Sequence, residues 1–423
     1  MNSDQLAALR TPAGADALAA ATEMAGGDPL YAAAALRARG VPADLAAAAL
    51  TQAELRRKAV AKFGPAAAGM FFTRAGLEQA TRAVVAERRA VRLRAAGVRT
   101  LADLGCGLGA DALAAARAGL RVYGVEADPV TAAMAAANAA AAGVADLFTV
   151  VQGDAAEFDL SHVEAVFCDP ARRRIGTGRR IFDPAAYSPP WDFVVGLAHR
   201  IPRTVVKVAP GISHALIPSE AEAEWVSVDG DLVEATLWWG PLATTPRRAT
   251  LLASPRLHKG SPPGPSSQEG SPMPVQAGRG QPCWELTGTG AAHAPVGEVR
   301  RFLYDPDPAV VRAHLVAEFA AAVDGVLADP TIAYVYADEA RVTPFARCLE
   351  VTDVLPFSLK RLRALLRERA VGRLEILKRG SALDPQRLRN DLRLAGTAAA
   401  SLVLTRVAGA PFALLCQPIT ADS

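Results

Sequence analysis

Between residues 96 and 250 short apolar runs alternate with alanine-rich helical stretches. Runs at 101–104, 120–125, 148–151, 163–167 and 204–208 have the length and continuity of strands buried on both faces of a parallel sheet. Residues 225–239 read as two further strands around Asp229-Gly230-Asp231, a hairpin turn signal. The pattern predicts an α/β, Rossmann-like sheet of seven strands closed by an antiparallel hairpin. Upstream, 1–95 is dominated by alanine, leucine and arginine, with few β-branched residues before Val84, which predicts helices. Thr51-Gln-Ala-Glu54 has the form of a capping box ahead of a basic helix, and Thr73 that of an N-cap for a helix from Ala75 to about Leu93.

Downstream, 254–282 is rich in Pro, Gly, Ser and Gln and nearly free of aliphatic residues. It cannot bury enough surface to offset its ordering entropy, so it reads as a flexible linker. The pattern resumes as a smaller α/β domain. A helix is expected from Asp307-Pro308 to about Val326, a strand at 332–337 and a helix at 358–370 with leucines on one face. A strand follows at 373–378, then a closing hairpin from 401–407 and 412–417. The expected organisation is therefore a helical segment (1–95), an α/β core (96–253), a linker (254–295) and a second α/β domain (296–420).

Composition narrows the class. With 51% hydrophobic and 21% charged residues the chain is globular, and its length of 423 exceeds what one core supports. The net charge is only +3, so nucleic-acid affinity must come from local clustering. One such cluster exists: 358–393 holds eleven Lys or Arg against four Asp or Glu. Five scattered cysteines without a Cys-x-x-Cys pair read as reduced thiols in a cytoplasmic protein. Six isolated histidines offer no metal site, the N-terminus lacks a signal-peptide pattern, and no apolar run approaches the roughly 20 residues of a membrane span.

The chemistry centres on Asp103-Leu-Gly105-Cys-Gly107-Leu-Gly109, where a strand runs through alternating glycines into a helix. Such a turn lets a ligand approach the backbone and presents the free N–H groups of the new helix. The glycines alone also fit a dinucleotide site, as in an NAD(P)-dependent oxidoreductase. Asp103 separates the two readings: a carboxylate there repels phosphates and favours an ammonium-bearing ligand. Three more strands end in acids. Glu126 suits two ribose hydroxyls, Asp154 follows the third strand, and Asp169 the fourth.

These residues resemble the class I S-adenosylmethionine-dependent methyltransferases, whose first motif is acid-x-Gly-x-Gly-x-Gly. The resemblance implies that Asp103, Gly105, Gly107 and Gly109 hold the methionine portion of S-adenosyl-L-methionine, Glu126 the ribose and Asp154 the adenine. Phe71-Phe72-Thr73 is similar to an aromatic-Thr step that lies against the cofactor in several nucleic-acid methyltransferases. Asp169-Pro170-Ala171-Arg172 stands where enzymes that modify exocyclic base nitrogens carry Asp/Asn-Pro-Pro-aromatic, which implies catalytic roles for Asp169, Pro170 and Arg172. Here Ala171 replaces the second proline and Arg172 the aromatic, although a guanidinium can stack on a base or meet a phosphate. Arg173, Arg174 and Trp191 are expected to grip an anionic substrate.

Together with Phe302-Leu-Tyr-Asp-Pro-Asp307 and Leu374-Glu-Ile-Leu-Lys-Arg-Gly380, these motifs resemble a bacterial methyltransferase family with a C-terminal THUMP-like domain. That resemblance implies methyl transfer to a base of RNA, with 358–393 as the RNA-binding region. The alternatives are an NAD(P)-dependent oxidoreductase, a catalytically inactive RNA-binding protein, and a methyltransferase acting on small molecules or proteins.

Overall fold

A computed structural model describes residues 1–172, 187–188, 190–254, 275–276 and 282–419. The chain forms two units, one of 1–222, 235–244 and 276–281, the other of 223–234, 245–275 and 282–423.

The first unit opens with helices α1 (Ser3–Leu9), α2 (Pro12–Glu23), α3 (Pro29–Ala38), α4 (Ala43–Phe63), α5 (Arg74–Gln79) and α6 (Ala83–Ala95). Asn2, Thr11 and Asp28 cap the first three through their side chains, satisfying N–H groups that a helix start leaves unpaired. Thr51 is not a cap. It lies inside α4 and its hydroxyl donates to the Ala47 carbonyl, because the run of alanines before it propagates the helix from Ala43. The single helix expected from Ala75 to Leu93 is broken between α5 and α6. Lys62 donates to the carbonyls of Leu77, Glu78 and Ala80, taking acceptors that would otherwise need to continue a helical ladder.

The α/β part follows as β1 (Thr100–Leu104), α7 (Ala110–Arg117), β2 (Arg121–Glu126), α8 (Pro129–Ala141), β3 (Phe148–Gln152) and β4 (Ala165–Cys168). A two-residue ladder of β5 (Ala171–Arg172) and β6 (Tyr187–Ser188), helix α9 (Trp191–Arg200) and β7 (Thr204–Val208) come next. Strands β8 (Glu222–Val228) and β9 (Asp231–Trp238) form the expected hairpin, turned by Asp229 (φ 53°) and Gly230 (φ 85°). The order β3-β2-β1-β4-β7 is parallel throughout, and β9 lies antiparallel to β7. This is the expected Rossmann-like arrangement. The chain builds outward from β1 to β3 and then returns to β4 on the other side of β1. The switch point between β1 and β4 is where an open α/β sheet leaves a crevice at its carboxyl edge. One contiguous core joins the helical segment to this sheet, from Leu9, Leu36 and Phe63 through Phe72 to Leu101, Leu113 and Met134.

In the second unit β8 pairs in parallel with β10 (Arg247–Leu252). After the two-residue strand β11 (Val275–Gln276), β12 (Pro282–Gly288) lies antiparallel to β10. This strand falls within the stretch assigned to the linker. Cys283 is buried and the register runs unbroken from Leu252↔Cys283 to Arg247↔Gly288, so backbone pairing orders a segment whose composition looks unstructured.

A separate seven-stranded sheet follows. Its members are β13 (Phe302–Pro306), β14 (Val326–Leu327), β15 (Val335–Ala337), β16 (Ala346–Pro356), β17 (Val371–Lys378), β18 (Ala398–Val407) and β19 (Ala410–Pro418), in the order β14-β15-β13-β16-β19-β18-β17. The expected helix from Pro308 to Val326 is two pieces, α10 (Pro308–Arg312) and α11 (Val316–Ala322), separated at His314, whose φ of 59° no continuous helix permits. Helices α12 (Leu359–Glu368) and α13 (Pro385–Leu392) bury Leu362, Leu366, Leu388 and Leu392 against one face of the sheet. Leu303, Tyr334, Leu349 and Val403 fill the other face.

Candidate active site

Asp103 is the next-to-last residue of β1, paired with Gly124 of β2 and Phe167 of β4. It is 1% exposed, and neither carboxylate oxygen has a hydrogen-bond partner among the described residues. Burial pushes its pKa well above the ordinary carboxylate range. The nearby Asp111 and Asp169 charges push the same way, and Arg89 and Lys207 only partly offset them. Arg89 is itself engaged in an ion pair with Asp111 and lies over the Phe167 ring. A buried acid with two open oxygens is costly unless a cation joins it.

The glycine turn wraps the end of β1. Gly105 and Cys106 donate to the Val125 carbonyl at 2.9 and 3.0 Å, and Gly107 donates to Glu126 Oε2 at 3.0 Å. Two glycines have a specific reason to be there. Gly109 caps α7 at φ 84°, and a Cβ on it would lie 2.8 Å from the Phe148 ring. Gly107 has φ 55°, and a Cβ on it would meet nothing within 4 Å, so its backbone faces open space. Glu126 Oε1 accepts from the Asp128 N–H at 2.9 Å, which fixes the carboxylate at the end of β2 and leaves acceptor capacity on both oxygens. Asp154 is exposed and accepts from the Ala156 N–H within its own loop.

The Phe71-Phe72-Thr73 segment is strapped against this turn by two buried amides. Gln52 donates to the Phe72 carbonyl at 2.7 Å and accepts from its N–H at 2.9 Å. Asn138 of α8 accepts from the Phe71 N–H at 2.7 Å and donates to the carbonyls of Phe71 (3.2 Å) and Leu108 (3.0 Å). Thr73 caps α5 by accepting from Gly76, and a Cβ on Gly76 would lie 2.8 Å from Leu108. The strap and the glycine turn are thus one assembly. Neither Gln52 nor Asn138 stands out in the sequence.

Asp169 follows β4 directly, and its carbonyl oxygen would be 3.6 Å from a Cβ on Gly105. Its Oδ2 accepts from Lys207 Nζ of β7 at 2.7 Å. Lys207 also donates to Thr81 Oγ1 at 3.1 Å and to the Gln79 carbonyl at 3.4 Å. Its charge helps to lower the Lys62 pKa to about 8, after the larger effect of burial. Pro170 is buried, and β5 places the Arg172 backbone opposite Tyr187 of β6. Trp191 begins α9. Arg173 and Arg174 lie outside the described residues.

Among the described residues no cluster of His, Cys, Asp or Glu is arranged to hold a metal ion, and no helix is long and apolar enough to cross a membrane. In the basic region, five of the eleven cations bond within the unit. Arg363 reaches the Asp391 carbonyl, Arg369 pairs with Asp353, Lys378 donates to Leu383, Arg379 pairs with Asp305, and Arg389 donates to Leu374. Lys360, Arg361, Arg367, Arg373, Arg387 and Arg393 are exposed and make no side-chain pairing with described residues.

Three family models match the chain: a methyltransferase domain over 101–173, a THUMP domain-like model over 346–418, and a domain of unknown function over 2–59. Uncharacterized S-adenosylmethionine-dependent methyltransferases from two strains of Mycobacterium tuberculosis are each 35% identical to the chain over 387 residues. The match spans 86% of this chain and 95% of theirs. The crystal structure of a candidate methyltransferase from Porphyromonas gingivalis W83 has 20% identity and a TM-score of 0.70, covering 99% of this chain and all of that one.

Proposed function

The chain belongs to the family of S-adenosylmethionine-dependent methyltransferases, and we propose that it methylates a base of RNA at the carboxyl edge of β1 and β4. The nicotinamide alternative falls with the family assignment. When bound, the cofactor supplies a methyl group on a positively charged sulfur, open to in-line displacement. The residues present fit it. Asp103 has two buried oxygens without a partner among the described residues, suited to an ammonium, and the Gly107 backbone in the same turn faces open space. Glu126 retains acceptor capacity for ribose hydroxyls, and Asp154 is the candidate for the adenine amino group. Gly105 and Gly109 shape the turn, and Thr73 holds the strap against it.

The observation that carries the reading is the position of Asp169. It leaves β4 beside the glycine turn, at the switch point, with Oδ2 fixed and Oδ1 open to a donor. An amine on the acceptor base donates there, which aligns its lone pair and gives Asp169 the proton released as the new N–C bond forms. The Pro170 carbonyl is a second acceptor for the same amine. Arg172, Arg173, Arg174 and Trp191 are assigned to holding the substrate, by stacking or phosphate contact. The six cations of 358–393 that pair with no described residue and the THUMP domain-like match support RNA as the substrate class. Five free thiols suit a reducing compartment, and we place the protein in the cytoplasm.

The test is transfer of a labelled methyl group from S-adenosylmethionine to total RNA, with protein and small-molecule extracts in parallel. Label should enter RNA with the native protein and be lost in Asp169→Ala, while S-adenosylhomocysteine affinity stays within about threefold. Label in protein or small molecules instead would reassign the substrate. No transfer to any pool by a protein that binds both cofactor and RNA would favour an inactive RNA-binding protein.

A further inference from the structure

The proposed transfer site contains a cation that neither the glycine turn nor the Asp169 loop explains. Lys207 is the next-to-last residue of β7, is largely buried, and reaches Asp169 Oδ2 at 2.7 Å. It also donates to Thr81 Oγ1 and the Gln79 carbonyl, so one ammonium joins the break between α5 and α6 to the loop after β4. An ammonium has three donors and no acceptor. These contacts hold its position and with it the Asp169 rotamer. The arrangement also sets charge. The Asp169 carboxylate is close enough to help raise the pKa of Asp103, and both lie at the proposed cofactor site. Left unpaired, Asp169 would attract that sulfonium as readily as it would receive the acceptor group.

We infer that Lys207 is a positioning residue of the methyl-transfer site: it pins Asp169 through Oδ2, leaving Oδ1 for the acceptor, and cancels the Asp169 charge so that the carboxylate does not bind the cofactor sulfur. The inference rests on the assignment of Asp169 to the transfer site. It predicts something no purely structural lysine would cause. Removing the ammonium changes the preference between S-adenosylmethionine, which carries the sulfonium charge, and S-adenosylhomocysteine, which does not.

The experiment is calorimetric titration of the full chain with each of these two molecules, for the native protein, Lys207→Met, Lys207→Arg, Asp169→Asn and the double variant. Lys207→Met should raise the preference for S-adenosylmethionine about 5- to 10-fold, the scale of one unit charge acting across a partly screened site. Lys207→Arg should return it to within twofold of native. Asp169→Asn should lower the preference, and adding Lys207→Met to Asp169→Asn should restore it, because the two charge changes cancel. If both affinities move together in a folded Lys207→Met protein, Lys207 only supports the structure and the inference is overturned. A melting scan of each variant establishes folding, and Lys207→Arg carries the test where Lys207→Met does not fold: a preference shifted away from native in that variant also overturns it. Failure of the native protein to bind either molecule would overturn the cofactor assignment itself, a different outcome from an unchanged ratio.

Discussion

Replacing Asp103 with asparagine removes one charge and little volume, and the structure predicts opposite effects on stability and on binding. Without ligand, the carboxylate is 1% exposed, both oxygens lack partners, and Asp111 and Asp169 repel its charge. Its folded-state pKa lies above its unfolded value, so the folded protein holds this proton more tightly. Stability from this group is therefore full below the ordinary carboxylate range and is lost as pH rises through the raised folded value. At pH 7.5 Asp103→Asn should stabilise the ligand-free protein by about 1–3 kcal/mol, or roughly 2–8 °C in melting temperature for a unit of this size. The amide keeps one acceptor but loses the charge that meets an ammonium. Truncating one side of a buried charge pair costs about 2–4 kcal/mol, so S-adenosylhomocysteine affinity should fall roughly 30- to 1,000-fold. Scanning calorimetry and titration calorimetry on the same preparation measure both. A lower melting temperature with unchanged affinity would refute the reasoning, because it would make Asp103 a structural acid rather than a ligand.

Four further outcomes follow from the same geometry. Because Asp103 must ionise to meet an ammonium, binding of S-adenosylhomocysteine should release a proton and tighten as pH rises; titrations in buffers of different ionisation enthalpy should detect it, and proton uptake would reverse the assignment. Gly109→Ala, which drives a Cβ towards Phe148 at a left-handed φ, should cost about 1–3 kcal/mol in urea unfolding. Gly107→Ala should cost less stability but weaken S-adenosylhomocysteine binding, since its Cβ points into open space. Asn138→Leu leaves the Phe71 N–H and two carbonyls unpaired, so it should lower stability by about 2–4 kcal/mol and loosen the cofactor site through the strap; unaltered urea unfolding would contradict this.

What could be read from the chain alone was what repeats locally. Apolar runs ending in Asp103, Glu126 and Asp169, with glycines at 105, 107 and 109, are short-range patterns, and they mark the strands and the sheet edge. The groups that complete the site are set by long-range contacts. Gln52 reaches Phe72 twenty residues away, Asn138 reaches Phe71 across sixty-seven, and Lys207 reaches Asp169 across thirty-eight. Each is an ordinary polar residue in an apolar stretch, and no local period distinguishes it from a surface position. The same reason explains the broken helix at 80–82. Its propensity favours continuity, but Lys62 and Lys207 supply donors for its carbonyls from α4 and β7. Strand β12 was hidden by a Pro- and Gly-rich neighbourhood and is ordered by pairing with β10. Charge counting over 358–393 could not separate paired from free arginines, because Asp305 and Asp353 lie on other strands.

The account depends most on Asp103 as the group that meets the cofactor's amine. A crystal structure of the protein with S-adenosylhomocysteine tests this directly. It should place the ammonium within about 2.7–3.2 Å of an Asp103 oxygen, with the ribose hydroxyls on Glu126. A bound molecule whose amine lies elsewhere, with both Asp103 oxygens still without a partner, would contradict it.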